Sequence, residues 1–116
     1  MLKKASGVLA MVIAMSASGF AAAADKVTYQ LDWLPGGDKA PVYAGIQQGF
    51  FADEGLEVTV ASGRGSTDAI TKIATGQADI GSADIGALMA ARAQDTVPVS
   101  AVYMIFNQGP HAFFAL

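Results

Sequence analysis

Between Lys26 and Trp33 the chain reads KVTYQLDW, with Val27, Tyr29, Leu31 and Trp33 alternating against Lys26, Thr28, Gln30 and Asp32. A period of two predicts a β-strand that buries one face. LPGGD interrupts the pattern. Pro41 then suits the first turn of a helix on which Val42, Ile46 and Phe50 recur at four-residue spacing. Gly49 weakens the last turn of that helix, and DEG at Asp53 to Gly55 ends it. In LEVTVA, Leu56, Val58 and Val60 oppose Glu57 and Thr59, which predicts a second strand. After SGRGST, the run TDAITKIATG spaces Ala69, Ile70, Ile73 and Ala74 as a helix stopped by Gly76. ADIGSA has the length of a brief buried strand. DIGALMAARAQ then sets Ile85, Leu88, Met89 and Arg92 along a helix with Asp84 as a fair N-cap. VPVSAVYMIF, from Val97 to Phe106, is rich in strand formers, with Pro98 tolerable only near its start. NQGP turns the chain and HAFFAL begins another strand.

The predicted order is βαβαβαβ with short connections, an α/β arrangement with a mostly parallel sheet and helices on both faces. Ligands of such open sheets sit outside the carboxyl ends of the strands. The loops that gather there are WLPGGDKAP, SGRGST and SADI. No internal repeat or low-complexity linker interrupts them.

Residues 1–24 follow a different plan. Lys3 and Lys4 precede an apolar run from Val8 to Met15, and small residues lead to Ala22, Ala23 and Ala24. This is the layout of a secretory signal peptide, with Asp25 as the first mature residue and, in a diderm bacterium, the periplasm as destination. Ser16, Ser18 and Gly19 break the apolar run short of the roughly 20 residues that a membrane anchor needs. No lipobox cysteine follows it. Setting aside Lys3 and Lys4 leaves 5 basic against 10 acidic residues, a net charge of −5. That balance argues against nucleic acid or anionic lipid as a partner, since both reward clustered Lys and Arg. Cysteine is absent, so stability must come from burial. Residues 25–116 are enough for one small domain but marginal for a two-layer core. The last apolar run, Ala112 to Leu116, reads as a strand cut before its turn, so the segment is expected to belong to a longer protein.

Three groups of residues stand out as candidates for a site. In SGRGST, Gly63 and Gly65 let backbone N–H groups converge, Ser66 and Thr67 add hydroxyls, and the next helix aims its positive end at the loop. An equally simple reading is that Ser66 or Thr67 only caps the helix. The loop is not a nucleotide P-loop, because the spacing and the terminal Lys-Ser/Thr pair are missing. Around the first loop stand Asp32, Trp33 and Lys39. The indole suits a planar ligand or core packing, and the lysine suits a carboxylate or sulfonate or a solvated helix start. Tyr43 either offers its hydroxyl to the same cleft or packs on the sheet. After GSA, Asp84 either pairs with a cationic ligand or caps its helix. His111 is the only histidine, and without cysteine or a His-x-x-x-His pair no zinc site assembles. No G-x-S-x-G elbow is present for a catalytic triad.

LDWLPGGDKAPVYAGIQQGFFADEGLEVTV, GRGSTDAITKIATGQADIGSAD and ARAQDTVPVSAVY together resemble the substrate-binding proteins of ABC importers for nitrate, sulfonates, taurine and thiamine-pyrimidine precursors. That family shares a domain with fungal thiamine-pyrimidine synthases. The resemblance implies a type II periplasmic-binding-protein-like fold with ligand held between two α/β lobes. Residues 25–116 would supply part of the first lobe. It also implies that a small-molecule ligand meets Trp33, Lys39 and Tyr43, then Gly65, Ser66 and Thr67, then Ser82 and Asp84. The implied partner is an ABC permease in the inner membrane, and the implied state a monomer with no cofactor. Relatives that bind thiamine pyrimidines often carry a polar N-x-x-H where this chain has GGDK, so the ligand class stays open. The fungal synthases, and receptor input domains that reuse the fold, are the alternatives. The synthases consume a histidine of their own and use a lysine for pyridoxal phosphate in the segment after the ADIG-like turn. SADIGALMA has neither, and the chain lacks their cysteines, so the expectation is that the chain is not an enzyme.

Overall fold

The computed structural model describes residues 23–94, 97–108 and 115. The predicted signal peptide, the residues beyond Gln108 that were expected to begin a strand, and His111 lie outside them, Ala23, Ala24 and Ala115 aside.

Among the described residues three strands form the sheet: β1 (Asp25–Gln30), β2 (Leu56–Ala61) and β3 (Ile80–Gly81). All pairings are parallel, in the order β2-β1-β3. Between β1 and β2 lie a 3-10 turn (Gly37–Lys39) and the helices α1 (Ala40–Gln47) and α2 (Phe50–Asp53). Helix α3 (Ser66–Ala74) joins β2 to β3, and α4 (Ile85–Gln94) follows. The expected α/β class and parallel sheet are thus present. The β1–β2 and β2–β3 crossovers run in opposite directions along the sheet, the second passing over β1, so the right-handed rule sets their helices on opposite faces.

Strand β2 follows its alternation, with Leu56, Val58 and Val60 half-buried and Glu57 and Thr59 exposed. β1 pairs with it from Asp25↔Leu56 to Gln30↔Ala61. β1 ends earlier than predicted, so Leu31 is fully buried beyond the strand while Trp33 lies in the loop, 59% exposed. Among the described residues the buried core is Leu31, Ala69 and Ile70 of α3, Ala78, and Leu88 of α4. α3 packs on α4, β3 and β1. β3 is two residues long, and Asp79 just before it bonds Thr28 through side chain and backbone. Its carboxylate accepts the Thr28 N–H at 2.8 Å, and its own N–H donates to the Thr28 carbonyl at 3.1 Å. Ile80 is exposed, contrary to the buried strand expected.

Two further expectations are corrected. Gly49 does more than weaken a helix: at φ 78° it ends α1, and α2 starts at Phe50. Ile46 and Phe50 are therefore exposed, and the buried contact is made instead by the Phe51 ring against Gly45. Val97 to Phe106 forms no strand. Val102 to Phe106 are exposed, because strand propensity needs an edge to pair with and the free edge of β3 spans two residues.

Candidate functional site

Parallel strands deliver all three strand-to-helix loops to one edge of the sheet. In a β2-β1-β3 order the crevice opens between β1 and β3, where the chain's crossovers diverge. Asp32, just beyond β1, and Ser82, just beyond β3, meet there. The Ser82 hydroxyl donates to Asp32 Oδ1 at 3.1 Å, and the Asp32 N–H donates to Ser82 Oγ at 3.3 Å. The Ser82 N–H donates to the Gln30 carbonyl at 2.9 Å.

The β2–α3 loop docks on the same residues. The Gly63 N–H donates to the Trp33 carbonyl at 3.1 Å, and the Gly65 N–H to the Asp32 carbonyl at 2.6 Å. Gly63 is buried, and a Cβ there would overlap the Leu31 carbonyl oxygen and stand 2.6 Å from the Asp32 carbonyl carbon. Gly65 takes φ 134°, a region closed to most side chains. The two glycines are thus required by close approach at one position and by backbone angle at the other.

Ser66 does not cap α3. The N-cap is Gly65, without a side-chain cap bond, and Ser66 Oγ accepts the Asp84 N–H at 2.9 Å. A residue expected to serve its own helix therefore ties its loop to the next one. Asp84 does cap: its Oδ1 accepts the Ala87 N–H at 3.1 Å. Thr67 is exposed, and its carbonyl accepts the Thr71 hydroxyl at 2.8 Å.

Lys39 reaches back across the first loop. Its Nζ lies 2.7 Å from Asp32 Oδ1 and 2.8 Å from Asp38 Oδ2, with its side chain 13% exposed. Burial opposes ionisation of Asp32, but hydrogen bonds from Lys39 and Ser82 and the lysine charge outweigh it and hold the carboxyl below its ordinary value. Burial likewise disfavours the Lys39 ammonium, and Asp32 and Asp38 override it and raise its pKa. A ligand carboxylate or sulfonate at Lys39 would therefore compete with two carboxylates already paired with it. Arg64 is the other cation in these loops, solvent-exposed and 3.6 Å from Asp68, which also pairs with Lys72 at 3.1 Å.

Tyr43 is half-buried on α1 and lines an open depression of about 490 Å³ with Pro35, Gly36, Gly37, Ala40, Ala44 and Gln47. Trp33, Lys39, Gly65, Ser66, Ser82 and Asp84 thus come from three loops to one edge, with Tyr43 on the flank. Gln30 was missed. Alternation assigns it to the polar face, yet it is buried, and its amide donates to the carbonyls of Leu31 and Ser62 at 2.8 and 3.0 Å. No local signal marks it. Among the described residues no group of three His, Cys, Asp or Glu side chains is placed to hold a metal.

Residues 36–116 match the family model described as NMT1/THI5 like. A formylaminopyrimidine-binding protein of Halalkalibacterium halodurans is 29% identical over 92 residues, covering 79% of this chain and 28% of the relative. Two Saccharomyces cerevisiae proteins, 4-amino-5-hydroxymethyl-2-methylpyrimidine phosphate synthases THI11 and THI13, are each 26% identical over 84 residues, covering 72% of this chain and 24% of theirs. The chain therefore spans about a quarter of the length of these curated relatives. No solved structure matches it significantly. The expectation that the chain is not an enzyme is corrected here. Synthases match at nearly the same identity as the binding protein. The missing lysine and histidine of SADIGALMA concern one short segment, whereas the likeness runs over 84 residues.

Proposed function

This chain belongs to the NMT1/THI5-like family, whose fold is periplasmic-binding-protein-like, and from that premise we propose that its three strand-end loops form part of a cleft wall. The cleft captures a small, nitrogen-rich planar solute of the aminopyrimidine class. One observation carries the choice of ligand: Lys39 is neutralised by Asp32 and Asp38. With Asp84 exposed nearby and joined to the same loops through Ser66, the wall is acidic, which suits ring N–H and amine donors. Nitrate or a sulfonate would have to displace Asp32 and Asp38 to reach Lys39, which leaves it only the solvent-exposed Arg64 beside Asp68. Trp33, exposed at the loop, offers a face for stacking. In this reading residues 1–24 direct export to the periplasm, and the ligand-bound protein, a monomer, delivers its cargo to an ABC permease. Lobe closure would bury the ligand, as in hinge-closing binding proteins.

Calorimetry of the full-length protein against an aminopyrimidine, nitrate and taurine tests this. Binding of the aminopyrimidine alone is expected. Binding of nitrate or taurine without the aminopyrimidine refutes the ligand class. Turnover of a bound pyrimidine, followed by mass spectrometry, would move the chain to the synthase side of its family.

A further inference from the structure

Asp32 touches all three loops of the wall. Its carbonyl accepts from Gly65 at 2.6 Å, and its carboxylate accepts from Ser82 at 3.1 Å and pairs with Lys39 at 2.7 Å. The Asp32–Lys39 pair also closes the loop 33–38, whose residues are all exposed. Trp33 lies inside that closed loop, 59% exposed, and its carbonyl accepts the Gly63 N–H at 3.1 Å. An exposed loop with few anchors is ordered by whatever joins its ends. We infer that Asp32 is a positioning residue: its carboxylate clasps Lys39 and Ser82, and this clasp sets the orientation in which Trp33 is presented to a ligand.

Asp38 holds the other side of Lys39, so Asp32 and Asp38 share one ammonium and the cluster keeps a net negative charge. Because Lys39 and Ser82 act through the same carboxylate, their effects on Trp33 must be coupled and cannot simply add.

The test uses the full-length protein and acrylamide quenching of Trp33, isolated by subtracting the spectrum of Trp33→Phe. Asp32→Asn and Lys39→Met should each raise the Trp33 quenching constant by roughly twofold, with unchanged far-ultraviolet circular dichroism. The double variant should match the larger single effect, and Lys39→Arg should restore the wild-type value. Affinity for an aminopyrimidine should fall about tenfold in Asp32→Asn, because Trp33 is no longer held in place for stacking. This binding arm rests on the proposed ligand class, whereas the quenching arm does not. A wild-type protein that fails to bind the aminopyrimidine overturns the ligand class and leaves quenching to decide the clasp. Wild-type quenching in both single variants, or strictly additive effects in the double, overturns the clasp.

Discussion

Gly63→Ala is the sharpest test of how the loops pack. The added Cβ would overlap the Leu31 carbonyl oxygen and lie 2.6 and 2.8 Å from the carbonyl carbon and oxygen of Asp32. All three are backbone atoms at the end of β1, so no side chain can rotate away. The loop must move instead, and with it the Gly63 and Gly65 N–H donations to Trp33 and Asp32. Overpacking costs about 1–3 kcal/mol, and weakening two backbone hydrogen bonds adds about 0.5–1.5 kcal/mol each. A loss near 3 kcal/mol is therefore expected, a large share of the roughly 5–15 kcal/mol that holds a domain together. Gly37→Ala is the control, because nothing lies within 4 Å of its added Cβ. It should be neutral or stabilise by up to about 1 kcal/mol through the unfolded chain. Urea unfolding of both variants gives the comparison, with the midpoint of Gly63→Ala lowered by about 1–3 M. Midpoints that agree within about 0.3 M would refute the close approach and the docking of the β2–α3 loop on β1.

The Asp32–Lys39 pair makes stability depend on pH at both ends. A lowered carboxyl pKa contributes stability above the ordinary aspartate value that is lost as pH falls through the folded value, and a raised ammonium pKa contributes below the ordinary lysine value and is lost as pH rises through the folded one. Thermal melts against pH should show a plateau between these limits, and Lys39→Met should lower the plateau by about 1–2 kcal/mol and flatten its acid shoulder. Ser66→Ala should leave the helicity of α3 unchanged, since Ser66 is not its cap, yet cost about 0.5–1.5 kcal/mol by removing the hydrogen bond that ties the Asp84 N–H to the loop. A drop in α3 helicity by circular dichroism would return Ser66 to a capping role.

Local pattern was a good guide to single elements. The alternation of Leu56 to Val60 and the stop at Gly76, which takes φ 72°, are stereochemical consequences of neighbouring residues. The site was legible as three loops, because parallel βα units place them together whatever their side chains do. Its internal wiring was not. Lys39 looks like a free cation along the chain, and only folding brings Asp32 within 2.7 Å of it.

What the sequence determined by itself is therefore the α/β order, the glycines at the turns, the acidic balance, and the motifs that resemble the family. Tertiary structure decided the β2-β1-β3 order, the burial of Gln30, the exposure of Val102 to Phe106, and the junction of Asp32 with Ser82, fifty positions apart. The physical reason is range. Backbone angles and periodicity act over a few residues, whereas which strand lies beside which is settled by burial and pairing among all of them at once.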